Sequence, residues 1–577
     1  MNYFRTVLCL TIVMNFACLK AQLNETQHFE VSKNLDIFNS VFKELNLFYV
    51  DSIDAKTAIQ TGIESMLETL DPYTEYISED QMADFKFKIT GEYAGIGAVI
   101  TFRDGKILIM DPYEGMPAAR SGLQAGDQIL EIDGESLAGK SSADASEKLK
   151  GQPGSKVKIK YLRQGTKKPV TIEIERERIH LSPITYYGVL DSTIGYIALS
   201  NFTDQCFQDF RAAFVDLKKN HGITSLIIDL RNNPGGIMEE ALQIVNMFVP
   251  KGKVLLSTKG KVKQWDRVFR ATQNPVDLEI PLVVMVNRGS ASASEIVAGA
   301  LQDLDRAVIV GRRSYGKGLV QTPRDLPYNA QLKITTSKYY IPSGRCVQAI
   351  DYAHRNPEGY AERIPDSLTT VFYTENRRPV RDGGGVNPDF IVAEERIPTI
   401  SFYMDNDGIF FDFVVQWRIL HPEIATPFDF QLSDADYEEF KRFVKEKHFD
   451  YDRQSGKALQ ALKEIMVFEG YMNTASEEYA LLEKKLQPDL DRDLELYKPQ
   501  LKKILASEIM NQYYYWKGKL IHSLYNDDSD LNKAIEIVKD KSLYDSTLKP
   551  AITDPQSFNP SILQSFSQLS NHLKNSR

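Results

Sequence analysis

The fold is indicated most clearly by residues 282–295, which read Leu282-Val283-Val284-Met285-Val286-Asn287-Arg288-Gly289-Ser290-Ala291-Ser292-Ala293-Ser294-Glu295. The apolar run from Leu282 to Val286 is typical of a buried strand. Ser292 and Glu295 fit the S-x-x-E capping box, which satisfies free N–H groups where a helix begins. This stretch therefore predicts a strand, a tight turn and a helix that begins at Ser292.

Strands and helices alternate on both sides of this stretch, from about residue 184 to about residue 395. Candidate strands are Ile194–Leu199, Ser225–Leu230 and Ala307–Val310, and candidate helices are 205–219 and 238–249. Such alternation argues for an α/β core with parallel strands. We therefore assign residues 181–395 to an α/β core.

Residues 91–180 have a different pattern, in which short strands are separated by glycine-bearing turns. Two phrases, Tyr93-Ala94-Gly95-Ile96-Gly97-Ala98 and the run from Gly122 to Gly134, together resemble a PDZ domain. In that family, a glycine-apolar-glycine loop presents backbone N–H groups to the terminal carboxylate of a peptide, which joins the sheet edge as a strand. The alternative is an ordinary glycine-rich hairpin loop. The candidate tail-binding residues are Tyr93, Gly95, Ile96 and Gly97.

Helical spacing marks both ends of the chain. Residues 22–90 contain amphipathic stretches at 35–48 and 55–70, and Asp71-Pro72 ends the second because proline disfavours helical geometry in the residue before it. Strand signals fade beyond about Ile397, and residues 396–577 are predicted to form a helical C-terminal domain. The chain is therefore expected to be an α/β multidomain protein with an N-terminal helical region (22–90), a PDZ-like β-rich module (91–180), an α/β core (181–395) and a helical C-terminal domain (396–577).

The first 21 residues look like an export signal. Arg5 forms the positive region, an apolar stretch runs from Val7 to Leu19, and Ala21 provides a small residue for cleavage. The apolar stretch is shorter than the roughly 20 residues that span a bilayer. We therefore predict a signal peptide and a periplasmic mature protein, with lipoprotein anchoring at Cys18 as the alternative.

Composition limits the classes of function. The 577 residues carry a formal net charge of -9, whereas a dedicated nucleic-acid binder is expected to be basic, so no nucleic-acid partner is expected. Four cysteines can supply neither a disulfide framework nor a CxxC-type zinc site. Cys206 and Cys346 could pair in an oxidising compartment, but the sequence gives no distance between them.

Two segments that follow apolar strands are candidates for a catalytic or ligand-binding site. A serine at a strand-to-helix turn, such as Ser292, exposes its hydroxyl group near helix N–H groups that can stabilise an oxyanion; the alternative is a serine that only caps the helix. The second segment, Gly311-Arg312-Arg313-Ser314-Tyr315-Gly316-Lys317-Gly318, matches the start of a phosphate-binding P-loop. That match fails at Gly318, where Ser or Thr should supply the magnesium ligand.

A lysine between glycines is also a candidate for a general base. Lysine has a reference pKa of about 10.4, and burial that lowers this value by about three units makes the amine a base near neutral pH. The eight histidines are scattered and no G-x-S-x-G phrase occurs, so histidine-dependent chemistry is less favoured. A pair formed by Ser292 and Lys317 is the economical alternative.

Several phrases, in order along the chain and combined with the PDZ-like module, resemble the C-terminal processing peptidases, also called tail-specific proteases. The resemblance covers about residues 33 to 395. The phrases are Leu70-Asp71-Pro72-Tyr73, Leu230-Arg231-Asn232-Asn233-Pro234-Gly235-Gly236, GSASASE at 289–295, Tyr315-Gly316-Lys317-Gly318-Leu319-Val320-Gln321 and Lys338-Tyr339-Tyr340-Ile341-Pro342-Ser343-Gly344-Arg345.

The resemblance implies a catalytic role for three side chains. Ser292, the middle serine of its phrase, would be the nucleophile and Lys317 its general base. Gln321 would orient the lysine amine by hydrogen bonding, as the third member that such pairs usually need. No metal and no organic cofactor would be required.

The resemblance also implies an oxyanion hole. The N–H of Ala293 and an N–H of Gly235 or Gly236 would point to the place where negative charge develops. For the glycines, a tight turn after the strand is the alternative. Asp303 is expected to be a surface or capping acid rather than a catalyst.

We therefore expect an exported serine endopeptidase with a Ser-Lys dyad. It would cleave protein or peptide substrates near their free C termini, and the PDZ-like module would bind or gate the substrate tail. The helical C-terminal domain could serve a homo-oligomer or an adaptor. The alternatives are a non-catalytic PDZ scaffold on a protease fold and, less favoured, a nucleotide binder.

Overall fold

The computed structural model describes residues 28–451, 454–486, 489–526 and 528–549. The predicted export signal at 1–21 lies outside the described residues. The chain divides into two compact units, one formed by the described residues up to 79 with 321–335, and the other by 80–320 and the residues from 336 onward. Each unit is described by itself.

The first unit contains two helices and a short ladder. Helix α1 spans 28–48 and α2 spans Ala55–Glu68, which confirms the amphipathic stretches predicted there. Strand β1 (Glu75–Ile77) pairs antiparallel with Gln331–Lys333. Asp71 of the Leu70-Asp71-Pro72-Tyr73 phrase accepts hydrogen bonds from the backbone N–H groups of Tyr73 and Thr74, so this phrase forms the turn that leads into β1.

The second unit begins with the PDZ-like module and the helix before it. Strands β3, β4, β5, β7 and β8 form an antiparallel sheet in that order, with β6 beside β5, while β2 pairs with β9. Apolar side chains from this sheet and two helices form a core of their own, as the β-rich pattern predicted. The elements are α3 (Met82–Thr90), β2 (Glu92–Gly95), β3 (Ala98–Arg103), β4 (Lys106–Pro112), α4 (Pro117–Arg120), β5 (Gln128–Ile132), β6 (Glu135–Ser136), α5 (Ser142–Leu149), β7 (Lys156–Leu162), β8 (Val170–Glu175) and β9 (Glu177–His180).

The α/β core follows. Its elements are β10 (Ile184–Leu190), β11 (Ile194–Leu199), α6 (Cys206–Asn220), β12 (Ser225–Asp229), α7 (Met238–Asn246), β13 (Val254–Gly260), β14 (Arg267–Arg270), β15 (Leu282–Val286), α8 (Ala293–Asp303), β16 (Val308–Gly311), β17 (Leu319–Asp325), β18 (Gln331–Tyr340), β19 (Ile350–Arg355), β20 (Ala361–Arg363), β21 (Val371–Tyr373), β22 (Pro379–Arg381) and β23 (Phe390–Ile391). A six-stranded sheet has the order β10-β11-β12-β15-β16-β23. Only its β10–β11 pair is antiparallel, which confirms the predicted parallel core.

The remaining described elements are helices, as predicted for the C-terminal region. They are α9 (Thr399–Asn406), α10 (Ile409–Leu420), α11 (Asp434–Glu446), α12 (Gln454–Glu469), α13 (Met472–Leu486), α14 (Leu490–Leu496), α15 (Lys498–Tyr525), α16 (Ser529–Lys539) and α17 (Lys541–Leu548). Helices α9, α10, α11, α14 and α15 share one apolar core. Within the described ranges, no helix has both the length and the apolar character needed to cross a bilayer.

The two faces of the six-stranded sheet are covered by different parts of the chain. Neighbouring residues of a strand point to opposite faces. Ile228 and Val284 belong to the core that includes α6, α7 and α8. Ile227 and Val283 pack instead in a core with Leu531 of α16 and Tyr544 of α17. The last described helices therefore complete the hydrophobic core of the sheet.

Candidate active site

Ser292 occupies a sharp turn between β15 and α8. Its φ angle of 55° lies in the left-handed region, which residues other than glycine rarely adopt. The backbone N–H of Ser292 donates to Glu295 Oε2 at 2.9 Å, and Ser292 caps α8 as the sequence predicted. A strained strand-to-helix turn of this kind exposes a nucleophilic side chain at the end of a sheet.

Glu295 joins this turn to the loop that carries Lys317. Its carboxylate has no exposed surface. Oε2 accepts from the N–H groups of Ser292 and Lys317, at 2.9 and 2.8 Å, and Oε1 accepts from the N–H of Gly316 at 2.7 Å and the hydroxyl of Ser314 at 2.5 Å. Burial raises the pKa of Glu295 to about 7, and these hydrogen bonds act in the opposite direction. A single buried carboxylate therefore fixes the backbone beside both proposed catalytic side chains.

Sequence reasoning gave Glu295 only a helix-capping role. The capping-box pattern explains its bond to Ser292, but the bond to Lys317 joins residues 22 positions apart. The pattern of residues within α8 contains no signal for that second contact. One usable clue was the buried environment expected for a helix between strands of a parallel sheet, where a carboxylate must find donors.

The Lys317 loop requires glycine on both sides because it packs closely against residues 346–349. Gly316 has a φ angle of 93°, and a Cβ atom there would collide with Ala349. A Cβ atom on Gly318 would lie 2.8 Å from the backbone nitrogen of Gln348. The lysine is half-buried in this position.

The loop is not a phosphate cradle. The N–H groups of Gly316 and Lys317 donate to Glu295, and that of Gly318 donates to Gln348 Oε1 at 2.7 Å. A P-loop needs its backbone N–H groups for phosphate oxygens and leads into a helix, whereas this loop closes on a carboxylate and leads into β17. The P-loop alternative is therefore wrong.

The glycine loop after β12 contacts the Ser292 turn directly. A Cβ atom on Gly235 would lie 2.8 Å from Ser292 Cβ and 2.9 Å from the nitrogen of Ala293. The buried Asn233 holds the loop, because its Oδ1 accepts from the N–H of Gly235 at 2.9 Å and its carbonyl accepts from the Ser294 hydroxyl at 2.9 Å. The structure thus brings Gly235, Ser292 and Ala293 together.

Gln321 lies on β17, in the part of that strand that belongs to the first unit; Leu319 and Val320 belong to the second. Its Nε2 atom donates to Thr335 Oγ1 at 3.0 Å, within that unit. The orientation of the lysine amine by Gln321 stays a prediction.

The structure corrects the prediction for Asp303. It was predicted to be a surface or capping acid, but its side chain is fully buried and pairs with Arg345 Nη2 at 2.9 Å. It also accepts from the N–H of Ser343 at 2.9 Å. The reason is that α8 is buried along its whole length, so even a charged residue at its end needs an internal partner.

A network of ion pairs ties both active-site loops to the beginning of α16. Arg231 follows β12 and forms a two-pronged pair with Asp528, with Nη1–Oδ1 at 2.8 Å and Nη2–Oδ2 at 2.7 Å. Arg312, in the loop that carries Lys317, donates to Asp530 Oδ2 at 2.7 Å. The side chains of Arg231 and Asp528 are only 16% and 7% exposed, so this network is largely shielded from water.

A groove in the PDZ-like module is lined by two of the four predicted tail-binding residues, Tyr93 and Ile96. We call it the tail groove: a cavity of about 380 Å³ lined by residues of β3 and α5, together with Tyr93 and Ile96. Ile96 lies between Gly95 and Gly97, and Gly97 has a φ angle of 73°. A Cβ atom on Gly97 would lie 2.5 Å from Met116 Cβ, which explains the glycine.

The cysteines and possible metal ligands were searched among the described residues. Cys206 and Cys346 are both free thiols, so the pairing that the sequence left open is not formed. In the part of the chain that the structure describes, no group of three or more His, Cys, Asp or Glu residues is arranged to hold a metal ion.

Comparison with known proteins gives three family matches. Residues 193–353 match peptidase family S41, residues 108–176 match the PDZ domain, and residues 400–538 match the C-terminal helical domain of a probable PDZ-protease. A carboxy-terminal-processing protease of Bartonella bacilliformis is 36% identical over 321 residues, which cover 55% of this chain and 73% of that relative. The chain belongs to peptidase family S41. It is a serine-type peptidase with a PDZ domain, which confirms the resemblance read from the sequence phrases.

Two further proteins are similar to this chain. The carboxy-terminal processing protease CtpB of Bacillus subtilis is 34% identical over 321 residues, 55% of this chain and 66% of that protein. The solved photosystem II D1 C-terminal processing protease is 28% identical and covers 62% of this chain and 87% of its own, with a TM-score of 0.34. The S41 match contains Ser292, Lys317 and Gln321, whereas the PDZ match begins after the Gly95–Gly97 segment. The non-catalytic scaffold alternative has no support in these matches.

Proposed function

We propose that this S41 peptidase is an exported endopeptidase that cleaves protein substrates near their C termini through a dyad of Ser292 and Lys317. The observation that carries the proposal is the buried Glu295 carboxylate, which binds the backbone N–H groups of both residues. A shared, water-excluded acceptor fixes two distant loops against each other, as a nucleophile and its base require. Export is supported by the signal-like residues 1–21, and sequencing of the secreted protein should find Gln22 at its N terminus.

The reaction is acyl transfer. Ser292 Oγ attacks the scissile carbonyl while the neutral amine of Lys317 accepts the hydroxyl proton. The lysine then gives this proton to the leaving amine, and a serine ester remains. Water, deprotonated by the same amine, hydrolyses the ester and restores the serine. Support for the lysine amine by Gln321 is part of the proposal.

The oxyanion hole is assigned to the backbone N–H groups of Ala293 and Gly236. Ala293 is the first residue of α8, where the helix dipole favours negative charge. The N–H of Gly235 already donates to Asn233, so Gly236 is the better candidate of the two glycines. Gly235 instead permits the close approach of the loop to Ser292.

The tail groove is assigned to the substrate's C-terminal tail. β3 lies at the edge of its sheet and borders the groove, so an extended peptide can join it as a further strand. At the end of the groove, the backbone N–H groups of the Gly95–Gly97 segment and Ala98 would bind the terminal carboxylate. Involvement of the C-terminal helices in a homo-oligomer or adaptor contact stays a prediction.

Substitution of the dyad tests the catalytic assignment. Ser292→Ala and Lys317→Arg should each abolish cleavage of an unfolded reporter protein, because arginine keeps the charge but cannot deprotonate near neutral pH. Lys251→Arg, at an exposed position, is the matched control and should keep full activity. Cleavage by the Lys317→Arg variant would show that this lysine is not the general base.

A pair of peptides tests the role of the groove. A substrate peptide with an amidated C terminus should bind about 1–3 kcal/mol more weakly than the free acid, the value of a charge-assisted hydrogen bond. Equal binding and equal cleavage of both peptides would leave a general endopeptidase whose PDZ domain does not select tails. Terminal proteomics of wild-type and Ser292→Ala cells would then identify the cleaved substrates.

A further inference from the structure

Tyr339 is a buried tyrosine near the end of β18. Its side chain is only 1% exposed and belongs to the apolar core that includes Ala293 and Ile296 of α8. None of the catalytic roles proposed above falls on the phrase that contains it, residues 338–345. The contacts of Tyr339 give this phrase a role.

The hydroxyl of Tyr339 contacts the backbone of the proposed nucleophile. It donates to the carbonyl oxygen of Ser292 at 3.3 Å. The backbone N–H of Ile296 donates to the same oxygen at 3.0 Å, as the first hydrogen bond of α8. Burial raises the pKa of Tyr339 well above its ordinary value, so the hydroxyl keeps its proton and remains a donor. Two donors therefore hold the carbonyl of Ser292.

This carbonyl belongs to the same peptide unit as one proposed oxyanion donor. The peptide between Ser292 and Ala293 is planar and trans, so its C=O and N–H groups point in opposite directions. The N–H of Ala293 is among the first four of α8, which have no acceptor within the helix. A hydrogen bond to the carbonyl also polarises the peptide and strengthens its N–H as a donor. Fixing the carbonyl thus fixes the direction of the Ala293 N–H.

The Ser292 turn needs this support because its backbone is strained. Ser292 has a φ angle of 55° and a ψ angle of -113°, a combination that residues with a Cβ atom rarely adopt. Strained conformations persist only where the surrounding structure holds them. Without the tyrosine hydroxyl, rotation of the Ser292–Ala293 peptide would relieve strain and turn the Ala293 N–H away from the oxyanion.

The backbone of Tyr339 contacts the other loop of the proposed dyad. Its N–H donates at 2.9 Å to the carbonyl of Gly318, the residue after Lys317. The strand is itself fixed, since Tyr339 pairs with Thr258 of β13. One residue of β18 thus binds the serine turn through its side chain and the lysine loop through its backbone. Substitution can remove the first contact and keep the second.

We propose that Tyr339 is a positioning residue of the peptidase reaction: its hydroxyl holds the Ser292–Ala293 peptide in the orientation that directs the Ala293 N–H at the oxyanion. The inference rests on the proposed function, in which Ser292 is the nucleophile. The hydroxyl is buried beneath the turn, so it acts through the peptide and not on the substrate. Its loss should therefore weaken stabilisation of the transition state and leave substrate binding unchanged.

The test compares Tyr339→Phe, which removes only the hydroxyl, with the unsubstituted full-length chain. On a reporter peptide, kcat should fall about tenfold while KM stays unchanged, a smaller loss than the roughly 100-fold or more that follows removal of a whole oxyanion donor. A peptide boronate forms a tetrahedral adduct with the serine and places an oxygen in the oxyanion hole. Its affinity should fall by about the same factor as kcat.

Two further tyrosines provide matched controls. The buried Tyr437 donates its hydroxyl to the carbonyl of Leu494 at 2.6 Å, which is the same kind of bond in the core of the C-terminal helices. Tyr437→Phe should lower the midpoint of urea unfolding about as much as Tyr339→Phe does, yet leave kcat and boronate affinity unchanged. Tyr340→Phe, at the neighbouring half-buried tyrosine, should also leave both unchanged.

The outcomes separate the inference from the function on which it rests. An unchanged kcat in Tyr339→Phe would overturn the inference, and so would a raised KM with normal kcat, because the hydroxyl would then serve substrate binding. A lower kcat with unchanged boronate affinity would also overturn it, since the hydroxyl would then not act on the oxyanion hole. If the boronate fails to inhibit the unsubstituted protein and Ser292→Ala still cleaves the reporter, the proposed function itself fails and the inference falls with it.

Discussion

The catalytic region and the tail groove are built from different kinds of contact. Around Ser292 and Lys317, loops from three parts of the chain meet on acceptors that have no exposed surface, namely Glu295 and Asn233. Around the tail groove, α3 contributes Asp84 and Phe87, whose contacts include one ring contact with Tyr93 and the exposed Asp84–Lys150 pair.

This difference fits the function that we propose for each region. Acyl transfer loses rate when reacting groups move by about 1 Å, so the catalytic loops gain from buried hydrogen bonds that fix the backbone. A groove that receives a tail must exchange its own contacts for those of the tail. Weak, exposed contacts lower the free energy that this exchange requires.

The largest effect is expected at the ion pairs that hold the catalytic loops from outside. Asp528→Ala should lower the free energy of unfolding by about 2–3 kcal/mol, because it removes two charge-assisted hydrogen bonds from the shielded Arg231 and the cap of α16, while Asp229 and Asp530 keep Arg231 paired. Urea denaturation measures this loss. Asp540→Ala is the matched control: it also removes an aspartate that caps a helix, but an exposed one, and should cost only about 1 kcal/mol. Equal losses in the two variants would mean that the network adds nothing.

Glu295→Gln should lower kcat/KM about 100-fold, because an amide cannot accept all the hydrogen bonds that fix the Ser292 and Lys317 loops. The activity of the unsubstituted protein should rise with pH through about 7, as Glu295 ionises and becomes an acceptor on both oxygens. The glutamine variant should lack this step and keep only the rise due to the lysine. Glu279→Gln, at an exposed position, should leave the profile unchanged. Activity close to normal in Glu295→Gln would remove this carboxylate from the positioning of the dyad.

The free energy of unfolding should fall as the pH rises, whereas activity should increase. The folded-state pKa of Glu295 is raised to about 7 from an ordinary value of 4.5, so ionisation costs folding free energy. This contribution to stability is fully present below the unfolded-state pKa and is lost as the pH rises through about 7. Between about pH 5 and about pH 8, the unsubstituted protein should therefore lose about 2–3 kcal/mol more unfolding free energy than Glu295→Gln loses. Urea denaturation of both proteins at both pH values measures this difference. The same stability difference between the two proteins at both pH values would contradict the raised pKa of Glu295.

The smallest effect is expected in the tail groove. Lys150→Ala should change the unfolding free energy by less than about 1 kcal/mol, because its pair with Asp84 is exposed and screened by salt. Thermal unfolding at low and high salt, with Lys158→Ala as the control at another exposed lysine, measures the change. A loss as large as that of Asp528→Ala would end the distinction between a fixed catalytic region and an adjustable groove.

The sequence by itself determined the local structures that carry the chemistry. An apolar run before Ser292 specified a strand, and the capping pattern specified the helix start, because both depend on neighbouring residues. The glycines beside Lys317 marked a place where the chain passes close to residues 348 and 349, and Gly95 and Gly97 marked close contacts with the side chains of Tyr93 and Met116. The phrases around these residues were sufficient to predict the α/β core, the PDZ domain and a resemblance to the C-terminal processing peptidases, which the match to peptidase family S41 confirms.

Only the tertiary structure decided which distant groups share a site. The Glu295 carboxylate, which reads locally as a helix cap, also binds the Lys317 loop, and the same contact separates that loop from a true P-loop. Asp303 reads as a surface acid because its partner Arg345 lies in another part of the chain. Arg231 meets Asp528 across 297 positions, and this contact places the last helices against the catalytic sheet. The physical reason is that local sterics and hydrogen bonds set backbone conformation, whereas partners for buried charges are found only when the packed core brings remote segments together.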